Sequence, residues 1–252
     1  MLFKAMLSVF TTPTRGVRDA RRALAKERAL SRRHLSSVRK ARRLTAETGL
    51  KLHLASGPNL KQGWLNIDLF ARRADLRLDL REPFPFADSS VAVIFSEHFF
   101  EHLEYPGEVR HLLRESLRVL QPGGLFSVGV PDTEPLLKAY AEGDEAAFRT
   151  ARERWHPSWC DTHMHQVNYH FRQRTEHKYA YDFETLARIL ETAGYSSITR
   201  RAFDPSLDSE ARRDGTLYVD ARKPVQSSDQ QRRLAVSGRT APAAEQLQSA
   251  SR

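Results

Sequence analysis

The residues able to do chemistry in this 252-residue chain fall into short clusters. The first is a turn of small residues, Ala55-Ser56-Gly57, closing the apolar run Leu50-Lys51-Leu52-His53-Leu54. Small side chains there let backbone N–H and C=O groups approach a ligand that larger ones would strike. Eleven residues after Gly57, Asp68 ends the run Trp64-Leu65-Asn66-Ile67, where a carboxylate can bind the two hydroxyls of a ribose. Beyond it stand Asp79 in Leu76-Arg77-Leu78-Asp79-Leu80, the cluster Ser96-Glu97-His98-Phe99-Phe100-Glu101-His102, and Pro131-Asp132 after an apolar run. Histidine titrates near neutrality and suits proton removal from a hydroxyl. The pairs Glu97-His98 and Glu101-His102, spaced i,i+4, could equally cap and hydrogen-bond a short helix. His163, His165 and His170 lack a cysteine or acidic partner that would complete a metal set, so no metal is expected.

These clusters must be positioned by regular elements. Short Leu-rich or β-branched runs predict strands at 50–54, 64–68, 75–79, 91–95, 125–130, 197–203 and 216–221. Helical spacing of Val109, Leu112, Leu113, Leu117 and Leu120 predicts a helix over 106–120, ended by Pro122-Gly123-Gly124. A second helix starts at Asp182 as N-cap, carries Leu186, Ile189 and Leu190 inward, and stops at Gly194. Strands alternating with helices imply an α/β fold, a parallel sheet covered on both faces.

Charge is unevenly placed. Residues 1–48 hold 13 Lys and Arg against 3 Asp and Glu, leaving 27 against 28 for the rest, within a net charge of +9. The first stretch, rich in Ala, Leu and Arg, reads as a basic helical arm, and the body from 49 to 223 as one domain. Residues 141–181 are polar, aromatic and histidine-rich, and so long a connection reads as a lid-like insertion. Trp155, Trp159, Tyr169 and Phe171 there could stack on a ligand or pin the segment to the body. After Pro224 the chain turns to Ser, Gln, Ala and Arg, so 224–252 is expected to be a disordered tail. A single cysteine, Cys160, excludes an internal disulfide framework. No apolar run reaches the roughly 20 residues of a membrane span, and a cytoplasmic protein is expected.

Taken in order, the Ala55-Ser56-Gly57 turn, Asp68, Leu76-Arg77-Leu78-Asp79-Leu80, Ser96-Glu97-His98 with Glu101-His102-Leu103, and Leu120-Gln121-Pro122-Gly123-Gly124 resemble the class I S-adenosylmethionine-dependent methyltransferases. The likeness runs over about residues 50–222 and is nearest to the small bacterial branch linked to surface-polysaccharide synthesis. It implies a Rossmann-like, doubly wound, mostly parallel seven-stranded sheet. It also implies S-adenosylmethionine as cofactor, with Ala55, Ser56 and Gly57 at its methionine end and Asp68 with Leu69 at the ribose. Asp79 and Leu80 would border the adenine, and Ser96 with Glu97 would lie beneath the sulfonium. The acceptor side would hold His98, Asp132, His177 and Tyr181, with His98 the first choice of base for a sugar hydroxyl. Three positions depart from the family pattern: Ala55 replaces its first turn glycine, Ser56 its cysteine, and Ala92 an acid.

The expected activity is therefore methyl transfer to a small-molecule or glycan acceptor, as an O-methylation in cell-surface polysaccharide synthesis. The arm would bring the protein to the inner face of the membrane or to a glycosyltransferase. The alternatives are a methyltransferase fold degenerate in its turn and kept as an assembly module, and an RNA methyltransferase. The near-neutral body gives nucleic-acid recognition little support. A nicotinamide dehydrogenase ranks last, because Pro58–Gly63 leaves little room for a phosphate-binding helix.

Overall fold

The computed structural model describes residues 13–44 and 48–225. The start of the basic arm and the tail from 226 onward lie outside the described residues.

Strands β1 (Leu50–Leu54), β2 (Leu65–Ile67), β3 (Val91–Glu97), β4 (Leu120–Pro131), β5 (Ser196–Arg201) and β6 (Thr216–Arg222) form one sheet in the order β2-β1-β3-β4-β6-β5. The pairs β1–β2, β1–β3 and β3–β4 are parallel, and β6 runs antiparallel to both its neighbours. The chain leaves β1 for β2 on one side and returns with β3 on the other. A crevice therefore opens at the carboxyl ends of β1 and β3, the place where such sheets bind ligands. Leu54, Ser96 and Val128 stand side by side in the ladder, so the turns that follow β1, β3 and β4 emerge together.

The core lies on both faces of this sheet. Leu52, Leu54, Ile67, Ile94, Phe126 and Val128 are fully buried. They are met by Val109, Leu112 and Leu113 of one helix (Gly107–Val119) and by Leu186 and Leu190 of another (Phe183–Thr192). Asp182 caps the latter by accepting from Thr185 N–H at 2.8 Å, as its position predicts.

Among the described residues the sheet has six strands, where seven were expected. The 75–79 run is reduced to a single parallel bridge, Ile67 to Leu76, on the outer side of β2. Asp68 explains this, because its Oδ1 accepts from Phe70 and Ala71 N–H, both at 2.7 Å, and turns the chain away before a ladder can extend. The free edge of 75–79 is taken up instead by helix α1 (Arg15–Ala41). Asp79 N–H donates to His34 Nδ1 (3.1 Å), Arg77 N–H to Ser37 Oγ (2.8 Å), and Lys40 Nζ to Asp75 O (2.8 Å). Side chains three apart on one helical face thus meet alternate residues of an extended segment. The carboxyl-terminal half of the basic helix is docked on the domain.

Two further expectations change. Pro122-Gly123-Gly124 does not end the preceding helix, which stops at Val119, but lies inside β4, where the register with β3 slips between Val91/Leu120 and Val93/Leu125. A Cβ on Gly124 would stand 2.8 Å from the Gln121 carbonyl oxygen, so this bend needs glycine. The 141–181 connection is largely helical. It contains Glu145–Arg154, capped by Asp144, and His163–Arg172, capped by Thr162, after a helix over Glu134–Glu142.

Candidate active site

The turn after β1 is shaped by two left-handed residues, Ala55 (φ 51°) and Gly57 (φ 52°). Gly57 takes that region freely, whereas Ala55 holds it against its own Cβ. Ser56 N–H donates to Ile67 O at 3.1 Å, and Gly57 N–H to Asp68 Oδ2 at 2.9 Å. Asp68 thus accepts three backbone N–H groups, leaving about one of a carboxylate's four acceptor positions for a hydroxyl. Leu69 is buried beside it.

The walls of this turn fit a polar ligand edge. Ser56 Oγ and Ser96 Oγ are buried without a hydrogen-bond partner among the described residues. Nothing lies within 4 Å of where a Cβ on Gly57 would point. These are the residues that would hold S-adenosylmethionine.

Asp79 and Leu80 sit further out, under α1. Leu80 is core, and the Asp79 carboxylate is engaged by Arg81 at 2.9 and 2.7 Å. Burial pushes the Asp79 carboxyl up, but the hydrogen bonds and charge of Arg81 outweigh it and leave it below the ordinary range. Its carboxylate is thus paired rather than free for a ligand. Glu97 is likewise committed, accepting from Ser209 N–H at 3.2 Å and Tyr218 O–H at 3.1 Å, while its carbonyl takes Arg212 at 2.8 Å. Burial raises its carboxyl. These contacts fold the β5–β6 connection over the carboxyl edge, where Lys61 also donates to Leu207 O. No sequence signal marks that roof.

Next to it opens a cavity of about 680 Å³ that His98, Asp132 and His177 all line. Trp155, Tyr169 and His170 share its walls, so the helical 141–181 segment encloses the site. His98 is left-handed (φ 53°) and shares a 2.8 Å hydrogen bond between Nε2 and Thr216 Oγ1. Burial, then the neighbouring Arg212 and histidines, drive its pKa down to about 3. The ring is therefore neutral but not poised near neutrality as expected. Burial raises Asp132 and lowers His177.

The reading of Glu97-His98 and Glu101-His102 as helix caps does not survive. Only one 3-10 turn, Phe100–His102, forms there, with no side-chain cap. Its middle residue, Glu101, is buried, and desolvation pushes its carboxyl up to about 8. His163, His165 and His170 do not converge. They pair separately with Glu145, Asp161 and Thr133. Tyr181, expected toward the acceptor, is buried with its hydroxyl on Phe100 O.

Residues 61–128 match the sequence model of a family described as methyltransferase domain, a span holding Asp68, Asp79, Ser96, Glu97 and His98 but not the β1 turn. No curated protein matches the chain. Among solved structures, an S-adenosylmethionine-dependent methyltransferase from Thermotoga maritima is 16% identical, with 81% of this chain and 96% of that one covered and a TM-score of 0.41. Another from Archaeoglobus fulgidus is 14% identical over 78% and 94%, TM-score 0.41. A Bordetella parapertussis protein described as a possible exported protein is 15% identical over 77% and 67%, TM-score 0.45. The family match over residues 61–128 and the crevice at the switch point support an S-adenosylmethionine-dependent methyltransferase of a general kind. Its cofactor is S-adenosylmethionine.

Proposed function

We propose that the protein methylates a hydroxyl of a small-molecule or glycan acceptor held in the cavity beside His98, in the synthesis of cell-surface polysaccharide. The observation that carries this reading is the cavity itself, large enough for a sugar unit at about 680 Å³, walled by aromatic side chains and by His98, Asp132 and His177. S-adenosylmethionine, when bound, supplies an electrophilic methyl group.

The chain's part is mainly alignment. Methyl transfer is an in-line displacement, and holding donor and acceptor in one geometry supplies much of the acceleration. The β1 turn and Asp68 orient the donor from one side of the crevice, and the cavity walls orient the acceptor from the other. Burial raises the Asp132 carboxyl, so Asp132 takes the proton that the hydroxyl releases, while His98, held neutral by its surroundings, orients the acceptor by hydrogen bonding from the same wall. The roof over Glu97 and the helical wall line the cavity beside His98 on two sides. The exposed arginines of α1, away from its docked face, support an approach to an anionic membrane surface or a glycosyltransferase on the cytoplasmic side.

The test is transfer of labelled methyl from S-adenosylmethionine into a lipid-linked glycan fraction, with the product weighed by mass spectrometry. The reading expects a methylated sugar, its yield cut sharply by Asp132→Asn. Labelled RNA or protein with unlabelled glycan would overturn it.

A further inference from the structure

We propose that Glu101, His102 and His177 form a binding site for one divalent transition-metal ion of the zinc or cobalt kind. Their donor atoms lie within 4.8 Å of one another, and Glu101 Oε1 stands 3.8 Å from His102 Nε2. An ion held tetrahedrally at about 2.1 Å from each donor needs separations of roughly 3.4 Å, so side-chain adjustments of at most about 1.4 Å close the set.

Three observations point to a ligand here. Glu101 is 2% exposed, and both its carboxylate oxygens are without a hydrogen-bond partner among the described residues. A buried carboxylate left so is costly unless a proton or a cation answers it. Both histidines are fixed in the tautomer that a metal needs. His102 Nδ1 donates to Glu176 O at 3.1 Å and His177 Nδ1 to His170 O at 2.7 Å. A carbonyl only accepts, so each Nδ1 carries the proton and each Nε2 offers its lone pair. Backbone carbonyls behind ligating histidines do this in metal sites generally. The scaffold is also tied together, since Lys178 and Tyr179 N–H both donate to the Glu101 carbonyl, at 2.6 and 3.3 Å. That joins the 3-10 turn carrying two ligands to the segment carrying the third.

Two histidines and one glutamate leave a coordination position open, the arrangement of reactive rather than structural zinc sites. His177 also lines the acceptor cavity, so the ion sits at its wall. There it would polarise an acceptor oxygen, a role that rests on the proposed methylation; the binding itself does not.

The full chain, stripped with a chelator and dialysed, is titrated with Co²⁺ in the absence of S-adenosylmethionine, followed by visible absorption, with Zn²⁺ as competitor. One saturable Co²⁺ per chain is expected, displaced by Zn²⁺. Affinity should fall about 100-fold or more in His102→Ala, His177→Ala and Glu101→Gln, and stay unchanged in His163→Ala and His165→Ala. Circular dichroism checks that each variant is folded, and the two partly exposed histidines carry the result should Glu101→Gln unfold. No stoichiometric binding by folded wild type, or binding indifferent to both histidine variants, overturns the site. Because no methyl donor is present, failure here is distinct from failure of the methylation reading.

Discussion

At Ala55 a methyl group is carried on backbone of φ 51°, a conformation costing an L-residue about 1–2 kcal/mol relative to glycine. The turn keeps its shape despite the missing glycine, held by Ser56 on Ile67 O and Gly57 on Asp68. Ala55→Gly should therefore raise the thermal midpoint by roughly 2–8 °C and tighten cofactor binding. Calorimetry showing a fall would mean that the turn is unstrained. A second prediction concerns His53, buried under the same turn, whose pKa is lowered from 6.5 to about 4 by burial and then by the charge of Lys61. The folded value lies below the unfolded one, so the stability is complete above pH 6.5 and is lost as pH falls through about 4, amounting to about 3 kcal/mol. Urea unfolding across that window should show a flatter curve for His53→Gln than for wild type; parallel curves would refute the assignment. Single residues were legible where their type met a strand end, as at Asp68 after β2 and His98 after β3. Glu101 was not, because an i,i+4 glutamate pair reads as helix capping until the helix proves to be one turn long.

Elements were legible where periodicity is strong. β1, β3, β6 and the helix from Asp182 match their runs closely. The 75–79 strand was not, since its alternation is real but its partner is a helix. Losing the acceptors on that helix leaves backbone N–H groups of Arg77 and Asp79 unpaired, at about 1–3 kcal/mol each. Ser37→Ala and His34→Ala should each lower the unfolding free energy within that range; no loss would show that α1 is not docked as described. Pro122-Gly123-Gly124 was read as a stop because those residues usually are one, whereas here they bend a strand. Gly124→Ala forces a Cβ against the Gln121 and Ala92 carbonyl oxygens, at 2.8 and 3.2 Å, and should cost about 2 kcal/mol by chemical denaturation.

For the whole molecule, an α/β fold with a mostly parallel sheet was legible from the alternation of elements and the family likeness, whereas the strand order and its six strands come from the structure. The cavity was not legible, because its walls come from helices between β4 and β5 and from the β5–β6 roof, segments brought together only by the closed sheet. The proposed methylation requires S-adenosylmethionine to sit on the Ala55-Ser56-Gly57 turn and Asp68. Equilibrium dialysis of the full chain against labelled S-adenosylmethionine tests it most directly. One saturable site per chain is expected, weakened about tenfold or more by Asp68→Asn, an interaction worth at least about 1.4 kcal/mol. Folded protein that retains no label, or that retains it equally with Asp68→Asn, would contradict it.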